Sequence, residues 1–284
     1  MSKYTIIANN TCDLPKEITK NLDVTFLNLG FTIGEENYKE MPAKEFYQKM
    51  REGAMPTTNA ANVGEYTDLF EAALSAGDDV LCLAFSSALS TTYNSAVIAA
   101  EEVSEKYPDR KIYVVDTRSA GLGEGILVRG AAEQKAAGKS MEEVRDWVEA
   151  TKNKVIHYFT VDDLGHLKRG GRISGAQAVM GGMLGIKPIL RVDETGGMVP
   201  ADKARGRAAA LKKMVDYIGE KGVNIQDQTV YITHSDCLED AENFAAQVKA
   251  QLGVKDIVIS FVGPVIGSHT GLGVLGIFCL AEAR

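Results

Sequence analysis

The chain has 284 residues, 45% hydrophobic and 24% charged, enough for one large domain or two moderate ones. The formal net charge is −7 and Lys and Arg are scattered without a basic run, which argues against nucleic-acid binding. No apolar stretch approaches the ~20 residues of a membrane span. The opening Met1-Ser2-Lys3-Tyr4 enters a strand with no signal-peptide core.

In chain order, residues 4–8 predict a first strand. Asp13-Leu14-Pro15 predicts a helix start, with Asp13 as N-cap and proline in the first turn. Residues 24–29 predict a second strand, and residues 43–50 and 64–75 carry helical periodicity. Between those helices, Pro56-Thr57-Thr58-Asn59 is read as a loop. A strand at 80–85, a helix at 90–106 and a strand at 112–115 follow. Helices are expected at 125–137 and 141–152, the second opened by a capping box of Ser140 and Glu143.

After residue 152 the rhythm changes. Strands are expected at 156–161, 187–192 and 198–201, a helix at 205–220, a strand at 230–233 and a helix at 238–252. Two apolar runs, 257–262 and 274–280, end the chain as buried strands joined by Gly263-Pro264-Val265-Ile266-Gly267-Ser268-His269-Thr270-Gly271-Leu272-Gly273, read as a glycine-rich loop. Strand-helix alternation in the first half implies a parallel sheet with helices on both faces. Hairpin-like spacing in the second half implies a mixed sheet. The expected division is 1–154 and 155–284.

Ligands of open α/β sheets sit beyond the carboxyl ends of strands, and polar residues gather at several such ends. Ser86-Ser87-Ala88-Leu89-Ser90-Thr91-Thr92-Tyr93 opens a helix, whose start favours an anion. Lys168-Arg169-Gly170-Gly171-Arg172-Ile173-Ser174 could clamp an oxyanion through arginine. His269 stands alone in its glycine-rich loop, where a site role and a structural one are equally open. Asp162-Asp163 is read as helix-start stabilisation, and Asp116 as a cap of its turn or a cleft residue.

Other patterns carry less. Gly271-Leu272-Gly273-Val274-Leu275-Gly276 fits G-x-G-x-x-G but precedes a strand-like run, and Gly121-Leu122-Gly123-Glu124-Gly125 lacks the third glycine. Neither predicts a dinucleotide site. His157, His166 and His234 have no metal spacing, and Cys12, Cys82, Cys237 and Cys279 match no zinc pattern. Reduced cysteines in a cytoplasmic protein are expected, without metal or cofactor.

In order, Thr11-Cys12-Asp13-Leu14-Pro15, Pro56-Thr57-Thr58, Ser86 through Tyr93, Gly170-Gly171-Arg172-Ile173-Ser174, Ile186-Lys187-Pro188-Ile189-Leu190 and Gly263 through Gly273 resemble the DegV family of fatty-acid-binding proteins. The resemblance covers essentially the whole chain. It implies a two-domain α/β fold: an N-terminal three-layer α/β/α domain with a parallel sheet, a C-terminal two-layer α/β domain with a mixed sheet, and a ligand tunnel between sheet and helices. It implies that Thr58, Ser90 and His269 hold the carboxylate of a long-chain fatty acid, with Arg172 in the headgroup and partner region. It further implies a carrier without turnover or stable membrane insertion. That carrier presents the carboxylate to a separate fatty acid kinase, which phosphorylates it to an acyl phosphate.

The chain departs from the family pattern at Asn9 and Asn10, where Asp-Ser is usual, and at Ala88 and Thr91, where glycines are usual. Asn59-Ala60-Ala61 replaces a common Ser-Gln-Pro, and Leu272 a frequent proline. These positions bear on acyl-chain preference and partner contact.

A tail of roughly fourteen methylenes at about 0.8 kcal/mol each gains on the order of 11 kcal/mol before ordering costs. The segments expected to line the tunnel are 80–85, 176–184 with Met180 and Met183, and 274–280. The alternative activity is a hydrolase with Ser90 as nucleophile and His269 as base, although Ser90 lacks the G-x-S-x-G elbow. A nucleotide-binding enzyme is disfavoured because no P-loop occurs.

Overall fold

The computed structural model describes residues 3–173 and 185–284. Strand β1 (Tyr4–Asn9), a 3-10 turn and the short helix α1 (Lys16–Thr19) lead into β2 (Val24–Leu27). Then come β3 (Gly30–Ile33), β4 (Glu36–Tyr38), α2 (Ala43–Arg51), β5 (Thr57–Asn59), α3 (Val63–Ser75), β6 (Asp79–Ala84), α4 (Thr92–Lys106), β7 (Ile112–Asp116), α5 (Leu122–Ala136) and α6 (Met141–Thr151). The second half runs β8 (Val155–Thr160), α7 (Gly165–Arg169), β9 (Ile186–Val192), β10 (Met198–Arg205), α8 (Arg207–Lys221), β11 (Thr229–His234), α9 (Leu238–Leu252), β12 (Asp256–Phe261), α10 (Pro264–Thr270) and β13 (Leu275–Leu280).

The first sheet has order β2-β1-β6-β7 with every pair parallel. Successive side chains of a strand point to opposite faces, and both faces here are covered. Ile7, Val80, Cys82 and Ala84 pack with Phe70 of α3 and Ala99 of α4. Ile6, Ala8, Leu81 and Leu83 pack with Leu127 of α5 and Val148 of α6. This is the expected three-layer arrangement, and it explains why β6 reads as one continuous apolar run.

The second sheet has order β10-β9-β8-β13-β11-β12. The β11–β12 pair is parallel and the others are antiparallel, so the sheet is mixed as expected. Helices α8 and α9 cover one face through Met214, Val215, Phe244 and Val248. The other face shares a core with the first half, where Tyr231 and Phe278 join Leu122 and Leu127 of α5.

Helix α5 is wedged between the layers, buried continuously from Leu122 through Val128. A Cβ at Gly123 would lie 2.0 Å from Nε2 of His157, and one at Gly125 2.8 Å from the carbonyl of Cys12. The glycines of that turn therefore serve close packing.

The structure corrects three local expectations. Asp13 does not cap a helix; it follows the 3-10 turn with φ 51°, and its buried side chain accepts a hydrogen bond from the backbone of Gly263. Residues 57–59 form β5, which pairs antiparallel with β3 in a small sheet of order β4-β3-β5. Those strands are three or four residues long with a largely non-apolar pattern, so periodicity could not mark them. The expected loop 264–270 is helix α10, with Pro264 in its first turn and Gly271 (φ 79°) at its end. The capping box of Ser140 and Glu143 forms as expected. Asp163 accepts from the Gly165 N–H at 2.7 Å at the start of α7, whereas Asp162 pairs with Lys187 at 2.6 Å and Arg207 at 3.4 Å.

Candidate functional site

Three elements converge beyond the carboxyl end of the first sheet. The β3–β5 pairing sets Phe31 opposite Thr58. Helix α10 packs against both strands and carries His269 in its last turn. There Thr58 Oγ1 lies 2.7 Å from His269 Nε2. Two glycines permit this approach. A Cβ at Gly267 would meet Tyr47 Oη at 2.6 Å, and one at Gly170 would meet His269 Nδ1 at 2.2 Å.

The third element is the turn before α4. Ser90 N–H donates to Ser86 O at 3.2 Å, and Thr92 N–H donates to Ser90 Oγ at 3.2 Å. The hydroxyls of Ser90 and Thr92 are 2.9 Å apart, and Thr92 Oγ1 accepts from the Ala61 N–H at 3.3 Å. Thr92 is fully buried. Arg172 joins this turn to the end of α7: its Nε donates to Leu89 O at 3.0 Å and its Nη1 donates to Gly170 O.

Thr58, Ser90, Arg172 and His269 line one cavity, together with Leu29, Phe85, Leu89, Met198, Val265 and Ile266. Burial, with the Arg172 guanidinium nearby, pushes the His269 imidazole down to about 4. The ring is therefore neutral at pH 7, with one nitrogen donating and the other accepting. A cationic guanidinium, a neutral imidazole and two hydroxyls around an apolar hollow suit a single anionic headgroup on an apolar body.

The cavity measures about 50 Å³. It has room for a small polar headgroup beside its apolar wall. Of the expected lining segments only Phe85 reaches the cavity; residues 80–84 and 274–280 belong to the packed cores. Residues 176–184 lie outside the described residues. Phe85, Leu89 and Ala120 form a small separate cluster, and Met198 and Ile266 pack against both it and the main core. Those two side chains thus line the cavity where the two clusters meet.

Other residues singled out in the sequence have structural partners. Ser86 Oγ donates to Gly196 O at 2.9 Å. Ser87 donates through N–H (3.1 Å) and Oγ (2.5 Å) to Asp116, which also accepts the Arg118 N–H at 3.0 Å and so caps its own turn. His157 is buried with Nδ1 3.0 Å from Val155 O, and His234 Nδ1 accepts from the Cys237 N–H. Among the described residues no group of three or more His, Cys, Asp or Glu could hold a metal, no helix is long and apolar enough to cross a membrane, and no hydrogen bond joins Ser90 to His269. Sequence reasoning missed Thr92 as the partner of Ser90, which the Ser-x-Thr spacing could have suggested. Nothing local marked Leu29 or Met198 as lining.

Known proteins share this arrangement over nearly their full lengths. The family described as "Uncharacterised protein, DegV family" matches residues 3–282. A DegV domain-containing protein of Clostridium perfringens is 47% identical over 289 aligned positions, covering 100% of this chain and 99% of its own. A fatty-acid-binding DegV family protein of Thermus thermophilus superposes with a TM-score of 0.89 at 32% identity, covering 98% of this chain and 99% of its own. DegV of Bacillus subtilis, a fatty acid binding protein, gives 0.87 at 31% identity, covering 99% and 100%. With the ordered motifs, the paired sheets and a whole-length family match in agreement, this chain belongs to the DegV family.

Proposed function

We propose that the protein is a cytoplasmic carrier that binds a long-chain fatty acid and presents its carboxylate to a separate fatty acid kinase for conversion to an acyl phosphate. The observation that carries the reading is the Thr58–His269 hydrogen bond of 2.7 Å beside Ser90 and Arg172 in one cavity with an apolar wall. Support comes from the fatty-acid-binding relatives of the same fold at 31–32% identity.

In this reading each hydroxyl has a hydrogen free for the ligand. When neutral His269 donates Nε2–H to Thr58 Oγ1, the Thr58 hydrogen turns to the carboxylate. When Thr92 donates its hydroxyl hydrogen to Ser90 Oγ, the Ser90 hydrogen does the same. The chain from the Ala61 N–H through Thr92 to Ser90 then has one consistent direction. Charge-assisted bonds of this kind fix the headgroup, while the tail supplies most of the affinity as Met198 and Ile266 yield. Methionine suits that role because it repacks readily.

Native mass spectrometry of gently purified protein should find a bound species of fatty-acid mass. Mixed with a fatty acid kinase and a nucleoside triphosphate, the loaded protein should yield an acyl phosphate that hydroxylamine traps as the hydroxamate. A lipid-free protein that also refuses labelled fatty acid would end the carrier reading. Binding without hydroxamate would end only the kinase part.

A further inference from the structure

Asn9 and Asn10 stand where β1 leaves the first sheet, and their side chains reach to opposite neighbours. Asn9 Oδ1 accepts from the Phe85 N–H at 3.0 Å, and Asn10 Oδ1 accepts from the Leu29 N–H at 3.0 Å. Phe85 is the first residue beyond β6 and Leu29 the second beyond β2, the two strands that flank β1. Strand pairing ends at Ala8–Leu83 on one side and Asn9–Leu27 on the other, because the chain turns into its 3-10 segment at Asn10. The two amide oxygens thus carry the pairing further on each side.

Donation by the Phe85 N–H fixes which end of the Asn9 amide is oxygen. The other end, Nδ2, donates to Tyr66 Oη of α3 at 3.0 Å. Asn9 and Tyr66 are fully buried. A buried N–H that loses its acceptor is left unsatisfied at a cost, so the backbone of Phe85 and Leu29 is held in place. Both of those side chains line the cavity of Thr58, Ser90 and His269, whereas Asn9 and Asn10 do not reach it. A carboxylate held by that clamp sets its first carbons against Leu29 and Phe85. An apolar wall that cannot shift discriminates by shape, since added bulk there meets a packed surface.

We propose that Asn9 and Asn10 are positioning residues for acyl-chain selection: by holding Phe85 and Leu29 they fix the space around the first carbons beyond the carboxylate. The protein then takes an unbranched acid and rejects one with a methyl group on the carbon next to the carboxylate. The inference rests on the fatty-acid reading and adds to it the class of acid accepted. The two asparagines are also the positions where the family pattern has Asp-Ser. A serine at position 10 carries its oxygen on Cβ, one bond short of the Asn10 oxygen, and does not reach as far toward Leu29.

Competition against a fluorescent fatty acid reads Kd for hexadecanoic acid and for 2-methylhexadecanoic acid. The unaltered protein should favour the unbranched acid about tenfold or more, the discrimination that one extra carbon meets in a fixed apolar pocket. Asn9→Leu and Asn10→Ser should each shrink that ratio below about threefold, and Asn10→Asp, which keeps the acceptor, should restore it. In a Phe85→Ala background Asn9→Leu should leave the ratio where it stands, because Asn9 acts through Phe85. Should Asn9→Leu fail to fold, the contrast of Asn10→Ser with Asn10→Asp decides alone. Equal Kd for the two acids in the unaltered protein, a ratio that neither Asn9→Leu nor Asn10→Ser moves, or equal losses in Asn10→Ser and Asn10→Asp would overturn the assignment. Failure of the unaltered protein to bind hexadecanoic acid at all would instead sink the carrier reading beneath it.

Discussion

Thr58 and His269 are 211 positions apart in sequence, yet their side chains meet at 2.7 Å, joining a strand of the small sheet to the last turn of α10. Gly170 backs the ring so closely that any side chain there would collide with it. The imidazole is therefore held before any ligand arrives, and little ordering remains to oppose binding.

Replacing His269 or Ser90 by alanine should weaken fatty-acid binding and leave the fold intact. Loss of one charge-assisted bond amounts to about 1.5–3 kcal/mol, or roughly 10- to 150-fold in Kd. Titration with a fluorescent fatty acid reads this directly. Unchanged Kd in both variants would remove the assigned clamp.

Thr92→Val keeps the shape of a fully buried side chain and deletes the hydroxyl that faces Ser90, along with the acceptor of the Ala61 N–H, whose loss is read as stability in both backgrounds. Fatty-acid affinity should fall about fivefold, one net hydrogen bond, and Thr92→Ser should restore it. In a Ser90→Ala background the same change should have almost no effect, because its action passes through Ser90. An equal loss in both backgrounds would reduce Thr92 to a packing residue.

His269 also makes stability depend on pH. Its folded-state value is about 4 against 6.5 for an ordinary histidine, because burial and Arg172 disfavour the cation. As pH falls below 6.5 the unfolded chain takes up a proton that the folded chain refuses until about 4. Stability is thus unaffected above that window and is lost through it, at up to about 1.4 kcal/mol per pH unit. Buried His157 acts in the same direction, whereas Asp13 and Glu124, raised by burial, act in the opposite one. Comparison with His269→Gln cancels those terms. Urea denaturation of lipid-free protein at pH 7 and pH 4.5 should show the parent losing about 2 kcal/mol more than the variant, and parallel losses would contradict the assignment.

Met198 lines the cavity and packs against the Phe85 cluster. Met198→Trp should lower affinity for a long-chain acid about four- to fifteenfold, since one or two excluded methylenes weigh about 0.8 kcal/mol each. Octanoate should bind nearly as before. Equal effects on the two acids, measured by competition with a labelled ligand, would place the tail elsewhere.

Most of the layered architecture was legible in the chain. The apolar run of β6 and the helices after it announced a parallel sheet covered on both faces, and Ser140 with Glu143 marked the start of α6. These features depend on neighbours within a few residues, so local patterning records them. The ordered motifs also marked Thr58, Ser90, Arg172 and His269 as one candidate set.

The remainder was settled by packing between distant segments. Asp13 faces Gly263 instead of capping a helix, and α10 forms where glycines suggested a loop. Whether the interior beside Ser90 is a channel or a hollow of about 50 Å³ depends on how Phe85, Met198 and Ile266 fill the space between two clusters. Identity and spacing in a chain state which side chains are apolar; the volume left among them exists only once strands and helices far apart in sequence have closed on one another.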